Sequence, residues 1–152
     1  MFNKRTITAL QTGMRRGEIL NLKWENIKDG YIELLETKSN KMRCIPISET
    51  LQKVFDSITR DSEYVFVNPK TGKPYTDFKK SWHNVLDHAK ITNLRFHDLR
   101  HTVATKMVEK GIDLLVVKEI LGHTMIETTM RYAHPMPSRK QSAIDVLDNY
   151  MN

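Results

Sequence analysis

"HDLRHTVATKMVEKG", residues 97 to 111, is the stretch on which the reading of the fold turns. It reads as a helix that stops at Gly111, where the missing Cβ suits a C-cap. His97, Arg100 and His101 fall at i, i+3 and i+4, so all three share one face at its start. Helices continue downstream. "DLLVVKEILG" is stopped by Gly122, "MIETTMRYAH" runs to Pro135, and "SRKQSAIDVLDNY" is a final amphipathic helix. Upstream, "TDFKKSWHNVLDHAK" turns Phe78, Trp82, Val85 and Leu86 inward. Only the middle of the chain breaks the pattern. "YIELLE" and "MRCIPI", joined by "TKSNK", read as a β-hairpin after the "NIKDG" turn. "SETLQKVFDSI" opens with a capping box on Ser48 or Thr50, and "EYVFVN" reads as a short strand before the turn "PKTGKP". Nearest the start, Asn3 to Gln11 reads as a helix broken by "TG". "MRRGEILNLKW" then resumes helical spacing with Ile19, Leu20 and Leu22 apolar. The expected fold is α+β, a mostly α domain with a small antiparallel β-hairpin. A helix that begins almost at Met1 without a clear cap leads us to expect further sequence upstream.

At 152 residues the chain has the size of one domain with a real core. Its 24 Lys and Arg outnumber 18 Asp and Glu, for a net charge of +6 and a pI near 9.4. That balance favours a polyanion, nucleic acid first. No apolar run approaches the roughly 18 residues of a spanning helix, and the N-terminus lacks the apolar stretch of a signal peptide. Cys44 is the single cysteine, which rules out an internal disulfide and a zinc finger and fits a reducing cytoplasm. Its strand-like neighbours make it an expected core residue.

The polar groups Arg15, Lys38, His97, Arg100, His123 and Tyr132 suit one chemistry when taken together. Glu18 lies one turn from Arg15 and can orient its guanidinium. Two arginine forks bind the oxygens of a phosphodiester, where negative charge grows in the transition state. A phenol near pKa 10 is about one part in a thousand phenolate at pH 7, so a histidine is needed to take its proton. A lysine in a mobile loop can protonate the leaving 5′-oxygen. Attack by tyrosine gives a covalent phosphotyrosine that conserves the phosphodiester energy. Rejoining then needs no cofactor, neither ATP nor metal, and no phosphate-binding GxxxxGK[ST] loop occurs. A metal on the His97/His101 pair is disfavoured by the arginine between them.

The order "TGMRRGEIL" (Arg15, Glu18), "TKSNKMRCIPI" (Lys38), "HDLRHT" (His97, Arg100), "LGHT" (His123) and "TTMRYAH" (Tyr132) resembles the catalytic domain of the tyrosine recombinases, the phage-integrase family. The resemblance runs from about residue 3 to about residue 150. It implies that residues 1–152 form a C-terminal catalytic domain, with the N-terminal core-binding domain lacking from this chain. It implies site-specific recombination of double-stranded DNA through a 3′-phosphotyrosine on Tyr132. Arg15 and Arg100 would hold the phosphate, Lys38 would be the general acid, His97 would assist the phenolic proton, and His123 would bond a non-bridging oxygen. Arg16 and Lys41 compete with Arg15 and Lys38, which only motif register favours. The implied assembly is a homotetramer on DNA and a monomer in isolation, with accessory DNA-bending or directionality proteins as further partners and no membrane.

Ala143, Ile144, Val146, Leu147 and Tyr150 form an apolar stripe on the last helix. It packs on its own domain or, as in the family, on a neighbouring protomer. Lys79, Lys80 and Arg95 are either phosphate contacts or solvated surface. A DNA-binding remnant without catalysis, a type IB topoisomerase and a metal nuclease are the competing functions.

Overall fold

Asn3 begins the first helix by accepting a hydrogen bond from the Arg5 amide on its side-chain oxygen. This is the cap that the sequence reading missed, and asparagine is among the best residues for it. The computed structural model describes residues 3–36, 41–77, 79–133 and 137–150. Helix α1 spans Lys4–Thr12 and stops at Gly13, which sits in the left-handed region at φ 64°. Thr8 and Thr12 are buried on it because their hydroxyls donate back to the carbonyls of Lys4 and Thr8. The chain resumes as α2, Arg16–Leu20, and buries Ile19, Leu20 and Leu22.

Three antiparallel strands follow in the order β1 (Ile27–Lys28), β2 (Tyr31–Glu36) and β3 (Lys41–Pro46). The extra strand, β1, is two residues long, too short to show alternation in sequence. It is joined to β2 by Asp29 and Gly30, both at positive φ as a tight hairpin turn demands. The register pairs Ile32 with Ile45 and Leu34 with Arg43. Ile32, Ile45 and Arg43 are buried, so the period-two alternation turns Met42 and Cys44 outward. Cys44 is therefore exposed, against the expectation of a core residue. A charged side chain takes the inward position beside it.

Ser48 caps α3, Glu49–Asp56, by accepting from the Leu51 amide, and the helix buries Leu51, Val54 and Phe55. The expected strand at 63–68 is not regular. Val65 and Phe66 are both buried, so no alternation exists, and the segment is held by Trp24 N to Glu63 O (2.9 Å) and Val65 N to Leu22 O (2.8 Å). Its isolated bridge to Pro74 ends at a residue with no N–H to extend a ladder. Helix α4, Lys79–Ala89, buries Trp82 and Leu86 and half-buries Val85. Phe78 lies outside the described residues.

Helices α5 (Asp98–Glu109), α6 (Leu114–Leu121), α7 (Ile126–Met130) and α8 (Pro137–Tyr150) complete the domain. Leu99 of α5 joins the main core around the sheet, whereas Val103, Ala104 and Val108 join Val117 and Leu121 of α6 in a second one. Each buried leucine or valine among them contributes roughly 1.5–3 kcal/mol. Tyr132 packs half-buried on the second core. Helix α7 ends before it: Tyr132 N and Ala133 N bond the carbonyls of Thr129 and Met130 as turns, so the helix does not run on as expected. The reason is local, since five residues without a side-chain cap make a short helix. Pro135 lies outside the described residues. The stripe of α8 is exposed along Ala143, Ile144, Val146, Leu147 and Tyr150, so it is not packed on its own domain.

Candidate active site

The last carbonyls of α6 are the negative end of a helix and want donors. Two arginines supply them. Arg15 Nη2 donates to Gly122 O at 2.8 Å, and Arg43 Nη1 donates to Leu121 O at 2.6 Å. Both also converge on Glu18, Arg15 Nη1 reaching Oε1 at 2.9 Å and Arg43 Nη2 reaching Oε2 at 2.7 Å. Burial pushes the Glu18 carboxyl up, but the Arg43 charge and the hydrogen bonds from Arg15 and Arg43 outweigh it and hold the group below the usual glutamate range. Glu18 thus stays ionised and fixes both guanidiniums.

Arg100, from the first turn of α5, is 5% exposed and donates from Nη1 to Gly13 O at 2.8 Å. Burial, then repulsion from Arg15, lowers it to about 10, so it remains a cation at neutral pH. Gly13 makes this approach feasible. A Cβ there would be driven into Leu121 Cδ2 and would lie 3.3 Å from Val103 Cγ1. Arg15 and Arg43 both bond Glu18, and Arg100 feels its charge without a bond to it among the described contacts, so three guanidiniums crowd around this carboxylate where water is partly excluded. Such a site is stabilised by an anion.

His123 follows the left-handed Gly122, and its Nδ1 lies 2.8 Å from the buried Thr129 Oγ1. Burial, then Arg100, Arg15, Arg131 and Arg43, depresses it to about 4, leaving a neutral imidazole. The Tyr132 ring lies nearly parallel to it, 12° apart with centroids at 6.5 Å. Tyr132 Oη is 2.6 Å from His101 Nδ1. Burial raises the phenol above its usual value, while Arg100 and Arg131 pull it back. His97 meets His101 edge to face at 4.9 Å, and it is lowered by burial and then by the charges of His101 and Arg100. An open cleft of about 440 Å³ lies against Arg43, Cys44, Lys118, Glu119 and His123.

The phage integrase family profile matches residues 5–139. The chain belongs to the phage integrase family. It is 38% identical over 139 residues to the integrase of Haemophilus phage HP1, covering 90% of this chain and 38% of that one. The tyrosine recombinase XerA of Pyrococcus furiosus is 32% identical over 143 residues, covering 88% and 50%. Among solved structures, the catalytic domain of bacteriophage HP1 integrase superposes with a TM-score of 0.73 at 34% identity, covering 93% of this chain and 79% of that one. The mostly helical fold with its small antiparallel sheet is thus that of an integrase catalytic domain. The chain spans a third to a half of the length of the curated relatives it matches.

Against that integrase fold, Arg15, Glu18, Arg100, His123 and Tyr132 come together from four separate segments. Arg15 rather than Arg16 enters the cluster, since Arg16 pairs with Asp77 at 3.5 Å. Arg95 pairs with Asp98 at 3.1 Å, and Lys79 lies 3.8 Å from Asp77. Lys38 lies outside the described residues. Sequence reasoning overlooked Arg43, whose only signal is its parity with Ile45 on a strand with one buried face. It placed His101 on one helix face with His97 and Arg100 and weighed it as half of a metal pair, but gave it no part in the chemistry, whereas the structure sets its Nδ1 2.6 Å from the phenol.

Proposed function

We propose that this domain cuts and rejoins double-stranded DNA in site-specific recombination, with Tyr132 as nucleophile and a 3′-phosphotyrosine as the intermediate. The observation that carries the reading is the convergence of Arg15, Arg100 and His123 beside the Tyr132 phenol. Arg15 and Arg100 hold the scissile phosphate and oppose the charge that grows on its non-bridging oxygens. Neutral His123 donates to one of those oxygens. The histidine pair of α5 receives the phenolic proton, and Lys38, between β2 and β3 in the chain, protonates the departing 5′-oxygen. Glu18 and Arg43 keep the forks aimed. Because the phosphotyrosine stores the energy of the broken bond, resealing consumes no ATP and needs no metal.

A core-binding module ahead of this domain is proposed to complete the clamp around DNA. The exposed α8 stripe supports docking of that helix on a neighbouring protomer within a tetramer. Neither a type IB topoisomerase nor a non-catalytic DNA binder is favoured, since the integrase family profile spans the domain and the arginine cluster is intact. The test is covalent trapping on a pool of randomised duplexes carrying a nick, from which the cleaved end is lost. The wild type forms a denaturant-resistant adduct, while Tyr132→Phe and Arg100→Ala form none. Absence of adduct from the wild type, or equal yield from Tyr132→Phe, refutes the reading.

A further inference from the structure

We infer that His101, through Nδ1, is the direct proton acceptor for the Tyr132 phenol, an assignment that rests on the strand-cutting reading above. The geometry makes the case. His101 stands one turn beyond His97 on α5, its Nδ1 is 2.6 Å from Tyr132 Oη, and its ring is tilted 45° to the phenol at 5.8 Å. That is a short hydrogen bond to the reacting atom itself. His97 touches the edge of the His101 ring and stands behind it. His123 faces the phenol with its ring plane and spends its Nδ1 on Thr129. Among the described histidines of the site, His101 is the one whose nitrogen meets the nucleophilic oxygen. The need for a base is also present, because burial holds the phenol above its usual value despite two nearby guanidiniums.

The Tyr132 O–H bond breaks, its proton passes to the lone pair of His101 Nδ1, and the oxygen forms the bond to phosphorus. The P–O5′ bond breaks on the opposite side, and that oxygen takes a proton from the acid there. His101 begins as the Nε2–H tautomer and ends as imidazolium. In resealing, the 5′-hydroxyl returns its proton to the acid that supplied it and attacks phosphorus, the bond from phosphorus to the Tyr132 oxygen breaks, and His101 gives its proton to the departing phenoxide. His97 acts on this base through ring contact and is a positioning residue.

His101 is exposed on the helix surface, so its substitution leaves the core intact. Two variants separate its roles: His101→Asn keeps a polar atom near the Nδ1 position without a basic lone pair, and His101→Ala keeps neither. Trapping is run on two nicked duplex pools, one with the ordinary 5′-oxygen and one with sulfur bridging phosphorus and the 5′-carbon. A thiolate leaves without protonation, so the sulfur pool restores variants that lack the acid and does nothing for those that lack the base. Both His101 variants are expected to form adduct roughly 10²–10⁴-fold more slowly, and equally so on either pool, whereas Lys38→Ala recovers on sulfur. Nitrogen NMR of the wild type is expected to show the Nε2–H tautomer of His101, with its Nδ1 signal moved by Tyr132→Phe. His101→Asn cutting at the wild-type rate, or recovery of His101→Ala on sulfur, overturns the assignment while strand cutting stands. A wild type with no adduct on either pool overturns strand cutting, and this assignment with it.

Discussion

Arg43→Met tests whether the buried cation of β3 organises the site. Methionine keeps an unbranched apolar stem and removes the guanidinium with its charge and donors. Arg43 is only 6% exposed, and it loses a 2.6 Å bond to Leu121 O and a 2.7 Å bond to Glu18. Deleting one partner of a buried ion pair costs roughly 3–5 kcal/mol. Glu18 retains the Arg15 side chain and amide as donors and its side chain is 22% exposed, which places the cost near the lower bound, about 3 kcal/mol. At roughly 2–4 °C per kcal/mol for a domain of this size, Tm falls by about 6–12 °C. Chemical and thermal denaturation measure it. The pH dependence gives an independent check. Glu18 is held below its ordinary 4.5, so its contribution is complete above that pH and is lost as the pH drops through the lower folded value. The stability gap between wild type and Arg43→Met should therefore narrow on acidification below about pH 4.5. A loss under about 1 kcal/mol with an unchanged acid limb would refute the reasoning.

Gly13→Ala forces a left-handed residue, about 1–2 kcal/mol, and overpacks Leu121 and Val103, about 1–3 more, so unfolding free energy should drop by about 2–5 kcal/mol. A neutral result in urea titration would contradict the close approach of α1 to α6. His123 should stay unprotonated in nitrogen NMR until the pH nears 4, and Arg100→Met should raise its titration toward the ordinary 6.5 by removing the foremost charge beside a ring already depressed by burial. Removing residues 138–152 should lower the molar mass measured by light scattering at high concentration if α8 docks between copies, and an unchanged mass counts against docking.

The helices were legible because their signals are local. Apolar spacing marks the buried Trp82 and Leu86 of α4, Ser48 announces α3, and Gly13 and Gly122 mark ends that need the left-handed region. Arg15, Arg100, His123 and Tyr132 could be picked out because each sits in a short pattern whose chemistry makes sense only together. What escaped depends on tertiary placement. An arginine on the inward face of β3 contradicts the apolar pattern and is held there by Glu18 and the carbonyl end of α6, both distant in sequence. Cys44 escaped for the same reason: its strand-like neighbours do form a strand, but Arg43 rather than Cys44 takes the inward parity. The partner of the phenol depends on how the turn after α7 lays Tyr132 across α5, which no local pattern encodes.

The outward-facing Cys44 has a practical consequence. It is the sole sulfhydryl in this 152-residue chain, and it borders the cleft shared by Arg43 and His123. A thiol-reactive fluorophore therefore attaches at one known point on the rim of the arginine pocket in the unaltered chain. Its emission then reports when a polyanion occupies the neighbouring cleft.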